Sequence, residues 1–263
     1  MYKPDSVSNR KTGKAIIIDG DDTLWDTQPL YELAKREFAA YLQNAGGSHD
    51  GIPDVIGLLN RIDADKVKVM GFSPARFPSA MIDTYRLVRR MQGLAQDPAD
   101  ERAIEAIGSS VFTARPIVYE DATGVLAYLS NYYILRLATK GDAHVQQSRI
   151  LTSGLAKVFD HIYILEDKTE AEYLSELGLD SLQAWVVGNS VKSDINPALR
   201  VKIPAVWIAR ETWLYESANL DQEVFAAHSL LDAATYILAQ DQRETPAVGV
   251  DKTRPDRELY SPH

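Results

Sequence analysis

The apolar run Ala15-Ile16-Ile17-Ile18 stops abruptly at Asp19-Gly20-Asp21-Asp22-Thr23, and Leu24-Trp25 follow. Four consecutive apolar residues without polar alternation read as a strand buried on both faces, as parallel sheets require. Three carboxylates at the end of such a strand are costly to bury unless they hold a cation or do chemistry. The plain alternative is an acidic turn, since Asp-Gly and Asp-Asp are ordinary turn dipeptides.

Further short apolar segments recur at 132–138, 161–165, 184–188 and 204–208, beside the first at 15–19. Helical patterns lie near 142–153, 169–178 and 195–201. Strands alternating with helices indicate βαβ units, hence an α/β chain with a Rossmann-like parallel sheet. More than a hundred residues separate the first strand from the second, with no strong strand signal between them. Leu30, Leu33, Ala34, Phe38 and Tyr41 form one apolar helical stripe there; Met81, Ile82, Tyr85 and Val88 form another, with Arg86, Arg89 and Arg90 flanking it. Residues 100–113 are a third helix candidate. A crossover needs far fewer residues, so an inserted helical subdomain is expected. The division expected is an N-terminal arm at 1–13, a core at 14–26 and 116–240, a helical cap at 27–115, and a loose C-terminal tail at 241–263 rich in proline and charge.

Composition narrows the function classes. The chain has 263 residues, 45% hydrophobic, with a formal net charge of −9 and no cysteine. The acidic balance argues against general affinity for nucleic acid or anionic membrane. The missing cysteines exclude disulfides, thiolate metal sites and a thiol nucleophile. No run approaches the roughly 18 apolar residues of a membrane span, and the polar N-terminal residues lack a signal-peptide core. A soluble cytoplasmic protein is the expectation.

Four candidate sites fall at strand ends, where open parallel sheets bind ligands. Asp19 and Asp21, two apart on extended backbone, present carboxylates to one side, so one can attack while the other moves a proton. Thr139, followed by Lys140 and Gly141, offers a hydroxyl and backbone N–H groups to a phosphate oxygen, although strand-end threonines often serve only as caps. Lys168, past the third apolar segment, suits a phosphoryl charge; Lys140 is a weaker candidate for the same task. In Gly188-Asn189-Ser190-Val191-Lys192-Ser193-Asp194, Asp194 can ligate a hard divalent cation and Asn189 can offer an amide oxygen, with an N-cap as the plain reading of Asp194. Arg76 is either a grip for an anionic substrate group or a solvated surface residue. Trp25 either walls the pocket or packs the hinge of the insertion.

In their order and spacing these motifs resemble the haloacid dehalogenase-like (HAD) hydrolase superfamily, phosphatase type with an α-helical cap, over about residues 14–210. The resemblance implies Asp19 as the nucleophile of an aspartyl-phosphate and Asp21 as general acid/base. It further implies Thr139 and Lys168 on the phosphoryl oxygens, and Mg2+ held by Asp19, the Asp21 backbone carbonyl and Asp194, with Asn189 beside it. Asp22 stands where many members have Gly or Asn, and Asn189 replaces the first acid of the fourth motif; Asp22 is expected to face outward, and burial of Asp21 to favour its protonated form. The expected partner is a small phosphorylated metabolite. A sugar phosphomutase, or a non-catalytic binding module disabled through Asn189, are the alternatives.

Overall fold

The computed structural model describes residues 13–44, 54–170, 183–210 and 218–244. A six-stranded, all-parallel sheet forms the core, built from β1 (Ala15–Ile18), β4 (Ile134–Lys140), β5 (His161–Leu165), β6 (Ala184–Gly188), β7 (Ala205–Ile208) and β8 (Phe225–Ala227), in the order β5-β4-β1-β6-β7-β8. β1 is central, with Ile16 opposite Leu135 on one side and Trp185 on the other. All four of its residues are buried, as an apolar run flanked on both edges and covered on both faces must be. The parallel sheet of an α/β chain is therefore present.

Helices α5 (Ala122–Leu129), α6 (Ala143–Ser153), α7 (Asn196–Arg200) and α8 (Leu230–Glu244) belong to this core. Ile16, Ile18, Leu126, Leu135, Leu137, Ile150 and Ile237 pack on one side of the sheet, whereas Ile17, Ala138, Val186, Ile195 and Ala198 pack on the other. Full burial of each large aliphatic side chain contributes about 1.5–3 kcal/mol, so the two layers anchor the strand ends firmly.

The second strand begins two residues later than its apolar pattern and ends two later. The N–H groups of Tyr132 and Tyr133 both donate to Leu129 O at the end of α5, which removes them from the ladder. At the other end Thr139 and Lys140 pair with Ile164 and Leu165. β8 carried no usable signal, being only Phe-Ala-Ala, and the helix expected near 169–178 lies largely outside the described residues. α8 continues four residues beyond the core boundary expected at 240.

Between β1 and β4 the chain forms α1 (Gln28–Asn44), α2 (Val55–Met70), α3 (Arg76–Met91) and α4 (Pro98–Thr113). These share a separate apolar cluster that includes Phe38, Leu59, Phe77, Met81, Tyr85 and Ile104. The stripe of α1 is rotated from the expected one: Tyr31, Ala34, Phe38 and Leu42 are buried, while Leu33 is exposed. Two-residue strands β2 (Trp25–Asp26) and β3 (Ile117–Val118) pair antiparallel where the chain leaves and re-enters the core. That pair was invisible in the sequence because two residues carry no period. It clamps both ends of the helical segment at one place beside the Asp19 loop.

Candidate active site

The loop after β1 is shaped by what a side chain would collide with. A Cβ on Gly20 would lie 2.7 Å from the Trp25 ring and 3.2 Å from Thr139 Oγ1, so only glycine fits between them. Gly20 O then accepts from Leu24 N at 2.8 Å, closing a tight turn that returns the chain beneath the carboxylates. Thr23 Oγ1 accepts from Asn189 N at 3.1 Å, joining this loop to the one after β6. Gly188 has a related duty, since any Cβ there would overlap the Asp194 carboxylate.

One cavity of about 110 Å³ brings together Asp19, Asp21, Thr139, Lys140, Lys168, Asn189 and Asp194, every site residue named from the sequence. Lys168 is buried, and its Nζ donates to Asp19 Oδ1 at 2.5 Å and to Asp194 Oδ1 at 2.7 Å. Burial pushes the Asp19 carboxyl up to about 7, with Lys168 pulling it down and Asp194 pushing it further up. Asp194 is not a helix cap: its Oδ2 accepts from Ser190 N at 3.0 Å within a π-helical turn, Val191–Ile195, that precedes α7. Thr139 is not a cap either, because Asp142 caps α6 by accepting from His144 and Val145 N–H. Lys140 Nζ donates to Ser193 Oγ at 2.5 Å and lies 4.7 Å above the Phe72 ring.

Asp21 departs from the expected burial, with its side chain 28% exposed. It accepts from Trp25 Nε1 at 2.6 Å, Gln146 Nε2 at 2.9 Å and Arg149 Nη1 at 2.5 Å. All three partners are donors, so hydrogen bonds fix the position of this carboxylate. Trp25 is fully buried in the core cluster and does not line the cavity, which decides its role as packing plus this one hydrogen bond.

Asp22 is buried, not outward-facing, and holds φ = 60°. Its Oδ1 accepts from Thr27 N at 2.9 Å and Thr27 Oγ1 at 2.8 Å, and its Oδ2 from Gln28 Nε2 at 3.2 Å. It therefore fastens the entrance of α1 to the loop after β1. Burial holds its carboxyl above the usual range, against the pull of Thr27.

Arg76 is not solvated. It is buried at the start of α3, forms an ion pair with Asp63 of α2, and lines the cavity. Gln146, Arg149 and Tyr31 also line it and were not anticipated. A signal existed for the first two: spaced i,i+3 on α6, they share one helix face, and both are polar.

The donors suit a hard cation. Among the described residues no group of three His, Cys, Asp or Glu side chains could hold a metal ion. Mg2+ nevertheless takes only one or two carboxylates and keeps several waters, so Asp19 and Asp194 with the Asn189 amide oxygen form a compatible oxygen set. Lys168 forms ion pairs with both of those carboxylates.

A family model described as haloacid dehalogenase-like hydrolase matches residues 14–201. The chain belongs to the haloacid dehalogenase-like hydrolases. It is similar in fold to a haloacid dehalogenase-like family hydrolase from Xanthomonas campestris, at 22% identity and TM-score 0.72, with 88% of this chain and 96% of that one covered. The HAD-hydrolase YfnB from Bacillus subtilis, a magnesium-bound structure, matches at 16% identity and TM-score 0.60, covering 85% and 98%. L-2-haloacid dehalogenase from Xanthobacter autotrophicus matches at 15% identity and TM-score 0.57, covering 86% and 98%. No curated protein sequence matches the chain. Among HAD-like hydrolases, then, the family is settled, and the residues in the cavity must decide the reaction. No helix among the described residues is long and apolar enough to cross a membrane.

Proposed function

We propose that this HAD-like hydrolase is a Mg2+-dependent phosphohydrolase of small phosphomonoesters that works through an aspartyl-phosphate. The observation that carries the reading is Asp21: a second carboxylate, held by three donors in the same cavity as Asp19. Haloalkanoate dehalogenation has no use for that residue or for a cation site.

In the first half-reaction a carboxylate oxygen of Asp19 attacks phosphorus and the P–O ester bond breaks, while Asp21 hands a proton to the departing alkoxide. In the second, Asp21 takes a proton from water as that water attacks phosphorus, which releases inorganic phosphate and restores the Asp19 carboxylate. In this reading Thr139 Oγ1, which is buried beside Gly20, holds a phosphoryl oxygen. Lys168 orients Asp19 and balances the charge that gathers on the equatorial oxygens. When bound by Asp19, Asp194, the Asp21 carbonyl and Asn189, Mg2+ supplies positive charge to the transferring group.

In this reading the four helices of 27–115 are a cap, pinned by β2 and β3, whose Tyr31, Phe72 and Arg76 roof the cavity and exclude water. The test is release of inorganic phosphate from a panel of phosphomonoesters with and without Mg2+, for wild type and Asp19→Asn. Loss of roughly a thousandfold or more in the variant is expected of a missing nucleophile. Equal rates in both, or no release from any ester, would overturn the proposal.

A further inference from the structure

Resting on the phosphohydrolase reading, we infer that Phe72 sets the size of the substrate and that Lys140 holds Phe72 in place. The substrates so selected are phosphomonoesters of compact alcohols rather than of aryl groups. The exposure of the lining residues shows where the cavity opens. Asp19, Thr139 and Lys168 are buried at its inner end, whereas Phe72, Lys140 and Asp142 are only half-buried. A lining residue that also meets solvent marks the rim. Two of these rim residues come from opposite sides, Phe72 from the turn between α2 and α3 and Lys140 from the end of β4. Their contact, 4.7 Å from Lys140 Nζ to the ring centroid, therefore spans the rim from the inserted helices to the core. An ammonium at that distance is attracted to the negative face of the ring, the more so where water is thinned out.

Both ends of the contact are braced. Lys140 Nζ donates to Ser193 Oγ at 2.5 Å and lies 3.8 Å from Asp167 Oδ1, so the core side holds the ammonium where the ring meets it. On the other side Gly71 N donates to Val67 O at 2.9 Å and Arg76 N to Ser73 O at 3.0 Å, which fixes the turn that carries Phe72. The neighbouring wall is packed as well, since Tyr31 meets the Phe77 ring edge-on at 4.9 Å and the Phe112 ring at 6.2 Å. The space enclosed is about 110 Å³, far below the roughly 300–1,000 Å³ of pockets that take drug-sized ligands. A phosphoryl group fills part of it, and the remainder suits a leaving group of a few atoms. A merely structural Phe72, packing its own turn, would leave the ranking of small and large esters unchanged when cut back.

Ethyl phosphate and 1-naphthyl phosphate test this, read as the ratio of their kcat/KM values in each variant relative to wild type, which cancels the intrinsic reactivity of the two esters. Phe72→Ala should shift the ratio toward the naphthyl ester by about tenfold or more, mostly through KM, since one methylene alone is worth about 10–200-fold in an apolar pocket. Lys140→Met, which loses the ammonium and keeps the chain length, should shift it the same way. Phe72→Tyr keeps the ring and should leave it unchanged. An unchanged ratio in Phe72→Ala or in Lys140→Met overturns the inference while leaving the phosphohydrolase reading intact. Ethylphosphonate and 1-naphthylphosphonate, whose C–P bonds are not hydrolysed, repeat the comparison by calorimetry with Mg2+. Wild type should bind the ethyl compound about tenfold or more tightly. Equal affinities, or no binding of either, overturn the inference. The expected phosphonate preference, lost in Phe72→Ala but accompanied by no phosphate release from either ester, would fault the phosphohydrolase reading alone.

Discussion

Replacing Lys168 by Met should unfold this protein several degrees earlier, and the size of the effect should depend on pH. The wild-type ammonium is 2% exposed and bridges Asp19 and Asp194 at 2.5 and 2.7 Å. Methionine fills a similar volume, so the cavity term is small and the loss is electrostatic. Breaking a buried ion pair by removing one partner costs about 3–5 kcal/mol, because the remaining charge stays buried and uncompensated. For 263 residues the unfolding entropy is about 0.55 kcal/mol/K at about 2.1 cal/mol/K per residue, which converts that loss to a Tm drop of about 5–9 °C. The sign of the pH dependence follows from protonation. Without the lysine, two facing carboxylates disfavour ionisation still more, so the penalty is largest above neutral pH and shrinks as pH falls and one of them takes a proton. Thermal unfolding followed by circular dichroism at pH 8 and pH 5.5, without divalent cation, measures both. A variant as stable as wild type at pH 8, or one destabilised more at pH 5.5, would refute the placement of Lys168 between the two carboxylates.

Three further outcomes are expected. Gly20→Ala should cost about 1–3 kcal/mol in urea unfolding, since its Cβ lies 2.7 Å from a fully buried tryptophan ring that has nowhere to move. Asp22→Asn should keep most of the stability, because asparagine tolerates φ = 60° and retains an accepting oxygen for Thr27, whereas Asp22→Ala should lose about 1–3 kcal/mol through the orphaned N–H and hydroxyl. Stabilisation by Mg2+ should be greater at pH 8 than at pH 6. The Asp19 carboxyl, raised to about 7 from 3.8 on folding, imposes a cost that is full above pH 7 and relieved as pH falls toward 3.8, so below 7 the cation must displace a proton, a penalty of about tenfold in affinity per pH unit. Equal Mg2+-induced Tm shifts at the two values would contradict this.

Much of the candidate site was legible in the chain because its residues follow strand ends. Ile16 to Ile18 are apolar on both faces, so their burial and the delivery of the Asp19 and Asp21 carboxylates to the strand end follow from local pattern alone. The same holds for Thr139, Lys168 and Asp194, which follow their apolar segments by one, three and six residues. Arg76 and Asp22 misled in the same way: a charged residue near a turn reads as solvated, and only a partner distant in the chain or a cap at the next helix shows otherwise. The Asp63–Arg76 pair spans two helices, and nothing in the spacing of 63 and 76 announces it.

What the amino-acid order determined by itself is the parallel core and the set of groups delivered to its edge, since periodicity and burial act over a few residues. Only the tertiary structure decided how those groups are arranged. Whether a lysine bridges two aspartates and whether Asp21 meets Trp25, Gln146 and Arg149 depend on contacts between residues 4 to 149 positions apart. Such contacts are set by the packing of α6 and the four inserted helices against the sheet, and packing has no local signature in sequence.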